Sequence, residues 1–79
     1  MTREERDQLL VKLGRRIGKI RLQQDKTRKE VAAYLKITTQ SYGCIERGTR
    51  EIGVSRLIDL AEYFQVTVKL GFRYERAAA

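Results

Sequence analysis

The stretch Thr27-Arg28-Lys29-Glu30-Val31-Ala32-Ala33-Tyr34-Leu35-Lys36-Ile37-Thr38-Thr39-Gln40-Ser41-Tyr42-Gly43-Cys44-Ile45-Glu46-Arg47-Gly48 decides the fold. Thr27 followed three residues later by Glu30 is a capping box, in which hydroxyl and carboxylate each satisfy one free amide at a helix start. Val31, Ala32 and Leu35 then fall on one helical face. A second helix opens at Thr38 or Thr39, whose hydroxyls cap its free amides, and Tyr42 and Ile45 give it a single apolar stripe. Gly48 stands where a helix exits through a left-handed residue. Two short helices joined by a tight turn over residues 27–48 have the geometry of a helix-turn-helix.

Toward the N-terminus, Thr2 and Glu5 form another capping box and open a helix that runs to about Gln24. Leu9, Leu10, Leu13, Ile17 and Ile20 recur at helical spacing and predict one stripe facing a core, with Arg6, Lys12, Arg15, Arg16 and Lys19 in water. Gly14 and Gly18 each cost such a helix roughly 1 kcal/mol relative to Ala. They leave two readings, a bend or the close approach of another helix. Asp25-Lys26 is the break before Thr27.

Toward the C-terminus, 49–53 is a polar, basic loop without apolar periodicity. Val54, Leu57, Ile58, Ala61 and Phe64 then follow the three-and-four spacing of an amphipathic helix, capped by Gly53 or Ser55. From Val66 the period changes to two. Val66, Val68, Leu70, Phe72 and Tyr74 alternate with Thr67, Lys69, Gly71 and Arg73, the pattern of a half-buried strand. A lone strand leaves its backbone groups unpaired, so residues 66–76 are predicted to pair with the same segment of a second copy. The competing reading is a short fifth helix over Thr67–Phe72. Ala77 to Ala79 read as a frayed end. The fold expected is mainly α: one domain over residues 1–79, built of four to five helices, with a C-terminal strand shared across a homodimer.

The chain has 79 residues, a size at which a core is marginal unless packing is good or a second subunit adds buried surface. Seventeen Lys and Arg against ten Asp and Glu give a formal charge of +7, a field suited to polyanions such as nucleic acid or an acidic membrane surface. The single cysteine excludes an internal disulfide, and with no histidine a metal centre is not expected; nor is any cofactor. No apolar run approaches a membrane span and the first residues lack a signal peptide's apolar block, which predicts a cytoplasmic protein. No nucleophile stands beside a base, which argues against an enzyme. An aromatic platform for stacking unpaired bases is missing, which argues against RNA.

Thr27-Arg28-Lys29-Glu30-Val31-Ala32, Leu35-Lys36-Ile37-Thr38, Ile45-Glu46-Arg47-Gly48 and Leu57-Ile58-Asp59-Leu60-Ala61 resemble the phage-repressor and Cro-like (XRE-type) helix-turn-helix regulators. The resemblance covers roughly residues 13 to 66 with its elements in the right order. Three departures stand out: Arg28 where Gln is usual at the start of the first motif helix, Lys36 where the turn usually has Gly, and Ile52 for a frequent Pro. Lys36 then sits in a left-handed backbone at some strain. The strand-like tail also resembles that of antitoxin-like members, whose C-terminal strands pair across a dimer.

What the resemblance implies is double-stranded DNA binding. A recognition helix enters the major groove with its N-terminal residues toward base edges while its neighbours grip phosphates. Thr39, Gln40, Gly43 and Cys44 occupy the family's base-facing positions. Gln40 leads, since its amide both donates to and accepts from adenine. Thr39 offers a hydroxyl or methyl, Gly43 permits close approach, and Cys44 is either a thymine-methyl contact or a small apolar filler. Arg28, Thr38, Ser41, Arg47, Thr49 and Arg50 are assigned to phosphates. Tyr34 and Tyr42 are read as core or rim packing rather than DNA contacts. Arg21 and Glu46 match a family ion pair that fixes the recognition helix against the first helix. The leading functional expectation is a dimeric, sequence-specific transcriptional regulator on a palindromic operator. Its rival is an antitoxin that binds a toxin protein and autoregulates its operon.

Overall fold

Each helix starts and stops on its own local chemistry. The computed structural model describes residues 1–69 and holds four helices there: α1 (Arg3–Gln23), α2 (Arg28–Leu35), α3 (Thr39–Arg47) and α4 (Val54–Phe64). Both predicted capping boxes are formed: the Glu5 amide donates to Thr2 Oγ1 and the Glu30 amide to Thr27 Oγ1, each at 3.1 Å. The second helix of the motif begins at Thr39, because Thr38 takes the cap and accepts from the Ser41 amide at 3.0 Å. A threonine cap of this kind contributes about 1 kcal/mol. α4 has Gly53 at its start and no side-chain cap.

All four helices end in the same way. After each, one residue adopts a left-handed backbone, Asp25, Lys36, Gly48 or Gln65, with φ of 57°, 59°, 76° and 56°. The next amide then reaches back five residues: Lys26 to Arg21 O, Ile37 to Ala32 O, Thr49 to Cys44 O and Val66 to Ala61 O, all at 3.0–3.1 Å. This is the Schellman stop, and it satisfies carbonyls that a helix end otherwise leaves bare. Three of the four left-handed residues carry a side chain, at a cost of roughly 1–2 kcal/mol each. Lys36 is thus strained in the turn as the sequence predicts. At Gly48 glycine is required by packing as well: a Cβ there would stand 2.5 Å from Val11 Cα on the facing helix.

The core is formed by Ile17, Val31, Ala32, Leu35, Tyr42, Ile45, Ile52, Leu60 and Phe64, with Leu13, Ile20, Ile37, Leu57 and Tyr63 packed against it. Three sequence expectations need correction here. The apolar stripe of α1 reaches the core only from Leu13 onward; Leu9 is 49% exposed, because residues 3–9 extend past the other helices. In α4 the buried side is turned toward Leu60 and Phe64, which leaves Val54 and Ile58 exposed. The cause is α2, against which α4 docks through Tyr63, whose ring lies 4.7 Å from that of Tyr34. Ile52 is buried within the loop expected to be polar throughout.

Gly14 and Gly18 make no bend; α1 runs through both. They form the seat of α3. A Cβ at Gly14 would fall on the main-chain carbonyls of Ile45 and Glu46, and one at Gly18 would meet the Glu46 carboxylate at 3.1 Å. Beyond α4, Val66–Lys69 adopt neither helix nor strand. The described residues hold no strand, and the rest of the predicted strand or fifth helix, Leu70, Phe72 and Tyr74 included, lies outside them.

Candidate nucleic-acid interface

α3 has two faces with different chemistry. Tyr42, Ile45 and Glu46 are buried against α1 and α2. Thr38, Thr39, Gln40, Arg47, Thr49 and Arg50 are exposed, and Ser41 and Cys44 are partly so. The residues read as DNA-facing therefore gather at the N-terminal turn of α3 and along its open side, with one qualification. Gly43 is buried beneath the Arg47 side chain, whose Nη1 a Cβ there would approach to 3.1 Å. A base edge reaches Gly43 only after Arg47 swings aside.

At the start of α3 the polar groups are bonded to one another. Thr38 Oγ1 donates to Ser41 Oγ at 2.9 Å, and Arg50 Nη1 donates to the same oxygen at 3.1 Å. A cation is thus held beside a helix N-terminus whose first turn contains no acidic residue. Free amides, the positive end of the helix dipole and a guanidinium then favour an anion at one place, as a phosphate group requires. Further along, Arg47 Nη2 lies 3.5 Å from Cys44 Sγ, and Thr49 Oγ1 donates to the Cys44 carbonyl at 3.3 Å. The Thr49 hydroxyl, and then Arg47, hold the Cys44 thiol below its ordinary pKa.

The helix is fixed in place by a charged cluster. Arg21 Nε donates to Glu46 Oε2 at 2.6 Å and Arg21 Nη2 to Oε1 at 3.2 Å, a two-point pair with both residues buried. Arg21 Nη1 also donates to the Lys26 carbonyl at 2.9 Å, joining α1, the first turn and α3. The structure adds a third member: Arg28 Nε donates to Glu46 Oε1 at 3.0 Å. Arg28, assigned from sequence to phosphate, is thus engaged by a carboxylate at Nε, while its side chain is half-exposed. Eighteen residues separate Arg28 from Glu46, and no local spacing signals their contact.

Burial pushes Glu46 toward the neutral form, but its hydrogen bonds from Arg21 and Arg28 outweigh this and hold its pKa below the ordinary value. Glu46 in turn raises Arg21. Tyr42 is fully buried next to this pair, and its hydroxyl makes no hydrogen bond of good geometry. Burial, then the Glu46 charge, push the phenol well above its usual range, so it stays protonated. Its role is packing, as the sequence suggests.

A polar helix face with a cation at its N-terminal end, held by a preceding helix across a left-handed turn, defines a helix-turn-helix DNA-binding domain. A family model for the helix-turn-helix matches residues 17–70, well over half of the chain. The protein belongs to this family, the Cro/C1-type helix-turn-helix regulators, which bind DNA and regulate transcription. Searches among curated proteins and among solved structures returned no significant match. No helix among the described residues is long and apolar enough to cross a membrane.

Proposed function

We propose that the protein is a homodimeric repressor-like regulator that reads a palindromic operator through α3 and acts in the cytoplasm. Thr39, Gln40 and Cys44 meet base edges in this reading. Thr38, Ser41 and Arg50 clamp one phosphate, and Arg47, Thr49 and the outer nitrogens of Arg28 reach neighbouring ones. The observation that carries it is the bonded trio Thr38–Ser41–Arg50, which places a guanidinium at the open N-terminus of the helix that also exposes Gln40. An exposed helix with that arrangement has its phosphate clamp and its base-reading amide on one side, as insertion into a major groove demands. Two copies joined through residues 66–76 would set their recognition helices about one DNA turn, roughly 34 Å, apart.

Selection of duplexes from a random pool gives the operator and its half-site spacing together. On that operator, Gln40→Ala should lose roughly 1–3 kcal/mol of discrimination while retaining non-specific affinity. Arg50→Ala should weaken binding to every sequence and reduce the slope of log affinity against log salt by about one unit. Equal operator affinity before and after Gln40→Ala would remove that residue from the base contacts. An unchanged salt slope for Arg50→Ala would do the same to the phosphate clamp.

A further inference from the structure

An open cleft of about 340 Å³ lies between α1 and the C-terminal half of α3. Arg15, Lys19 and Arg21 of α1, Arg28 at the start of α2, and Glu46 and Arg47 of α3 line it. Five cations thus stand around one carboxylate, an excess of four positive charges in a chain whose whole formal charge is +7. That carboxylate is already taken, by Arg21 at two points and by Arg28 at a third. Among the described residues, Arg15, Lys19 and Arg47 lie within ion-pair distance of no carboxylate, and all three are exposed. A concave surface lined by one sign of charge focuses its field and concentrates counter-ions. Gly14 and Gly18 keep the cleft narrow: a Cβ at either would meet α3, so α1 runs close enough to bring Arg15 and Lys19 beside Arg28 and Arg47. Arg15 and Lys19, four residues apart, share one side of α1.

We propose that this cleft seats a phosphate of duplex DNA, with Arg15 and Lys19 closing on it from α1 and Arg28 and Arg47 from the facing wall. The proposal rests on the reading of α3 as the recognition helix and adds α1 to the surface that meets DNA. The cleft is continuous with the exposed side of α3, since Arg47 lines the one and lies across Gly43 on the other. When α3 lies in a groove, the anion that comes to this place is the DNA backbone. Arginine suits it, because the planar guanidinium fork matches two phosphate oxygens at once. The cleft takes a phosphate of its own. Ser41, at the centre of the Thr38–Ser41–Arg50 trio, and Arg47 are separated by roughly 9 Å along the helix axis, too far for one phosphate to serve both. Lys12 and Arg16 are charged and exposed on the same helix but do not line this cleft, which makes them the comparison.

The test compares two double variants of the full chain that remove the same charge from the same helix: Arg15→Ala with Lys19→Ala, and Lys12→Ala with Arg16→Ala. All four positions are exposed and alanine favours a helix, so both variants should keep the circular dichroism of the parent. Binding is measured against salt on the selected operator duplex and on a duplex of unrelated sequence. Loss of Arg15 and Lys19 should weaken binding to both and flatten the slope of log affinity against log salt by roughly 0.9, the value of one phosphate contact, whereas loss of Lys12 and Arg16 should leave the slope in place. Operator phosphates are then replaced one at a time by uncharged methylphosphonates. At one position the parent should lose affinity while the variant lacking Arg15 and Lys19 loses no more, and that position should differ from the one to which Arg50→Ala becomes insensitive. Equal slopes for the two double variants, or the lack of such a position, would overturn the cleft as a phosphate seat; with Gln40→Ala and Arg50→Ala behaving as expected, the reading of α3 would stand. A parent that binds no duplex would overturn both.

Discussion

Gly14→Ala tests whether close approach of two main chains, rather than helix propensity, governs the α1–α3 contact. By propensity alone, alanine inside a 21-residue helix should stabilise by about 1 kcal/mol. The new Cβ, however, falls on the carbonyl oxygens of Ile45 and Glu46, which belong to main chain and cannot rotate away. Relief requires α3 to lift off α1, and overpacking of that kind costs roughly 1–3 kcal/mol. The steric cost wins, for a net loss of up to about 2 kcal/mol. For a domain of this size each 1 kcal/mol lowers Tm by roughly 4–8 °C. Thermal and urea unfolding followed by circular dichroism measure it, and the displaced helix should also bind operator less tightly. Gly18→Ala is the milder comparison, since there the Cβ meets only a carboxylate at 3.1 Å. A Gly14→Ala protein as stable as the parent, or more stable, would refute the reasoning.

Glu46→Ala leaves Arg21 buried without its counter-charge and should cost about 3–5 kcal/mol, whereas Arg21→Met with Glu46→Leu should cost less than either single change; urea midpoints of the three variants decide this. The same carboxylate sets an acid limb. Its folded pKa is depressed, so its stabilisation is complete above the unfolded value of about 4.3 and is lost as pH falls through the lower folded value, and Glu46→Gln should flatten that limb in acid titrations of stability. Lys36→Gly should raise stability by about 1 kcal/mol by relieving a left-handed backbone at φ 59°, with operator affinity unchanged; a loss of stability would show that the lysine side chain outweighs the strain.

Features that depend on residues a few positions apart were legible in the sequence. The Thr2–Glu5 and Thr27–Glu30 boxes and the Thr38 cap fix three helix starts by contacts three residues long, and the structure forms all of them. The outward setting of Thr39 and Gln40 follows from the same local pattern, because Tyr42 and Ile45 set the inward face. What needed a neighbouring element was not legible. Apolar spacing in α4 allows either Ile58 or Leu60 to face inward, and Tyr34 on α2 favours the second through Tyr63. Leu9 has the same periodicity as Ile17, but no other helix extends far enough to cover it. Gly14 and Gly18 were ambiguous for the same reason, since glycine signals permission for close approach without naming what approaches. The Arg28–Glu46 contact and the covering of Gly43 by Arg47 depend on side-chain paths that no spacing encodes.

The division of α3 into a core face and an open face has a consequence for how this protein changes over generations. Residues that hold the helix, Tyr42, Ile45 and Glu46, are distinct from those at its open face, Thr39, Gln40, Cys44 and Arg47. Exposed substitutions away from caps and buried partners usually alter stability by no more than roughly 0.5 kcal/mol. If the proposed base contacts hold, operator preference can therefore drift at Gln40 or Cys44 almost without a folding penalty, and duplicated copies can diverge to separate targets while retaining one scaffold. Ser41 is different. Its hydroxyl is bonded to both the helix cap and Arg50, so exchange there perturbs the start of the helix and the proposed phosphate clamp together, and that position should be the slowest on the exposed side to vary.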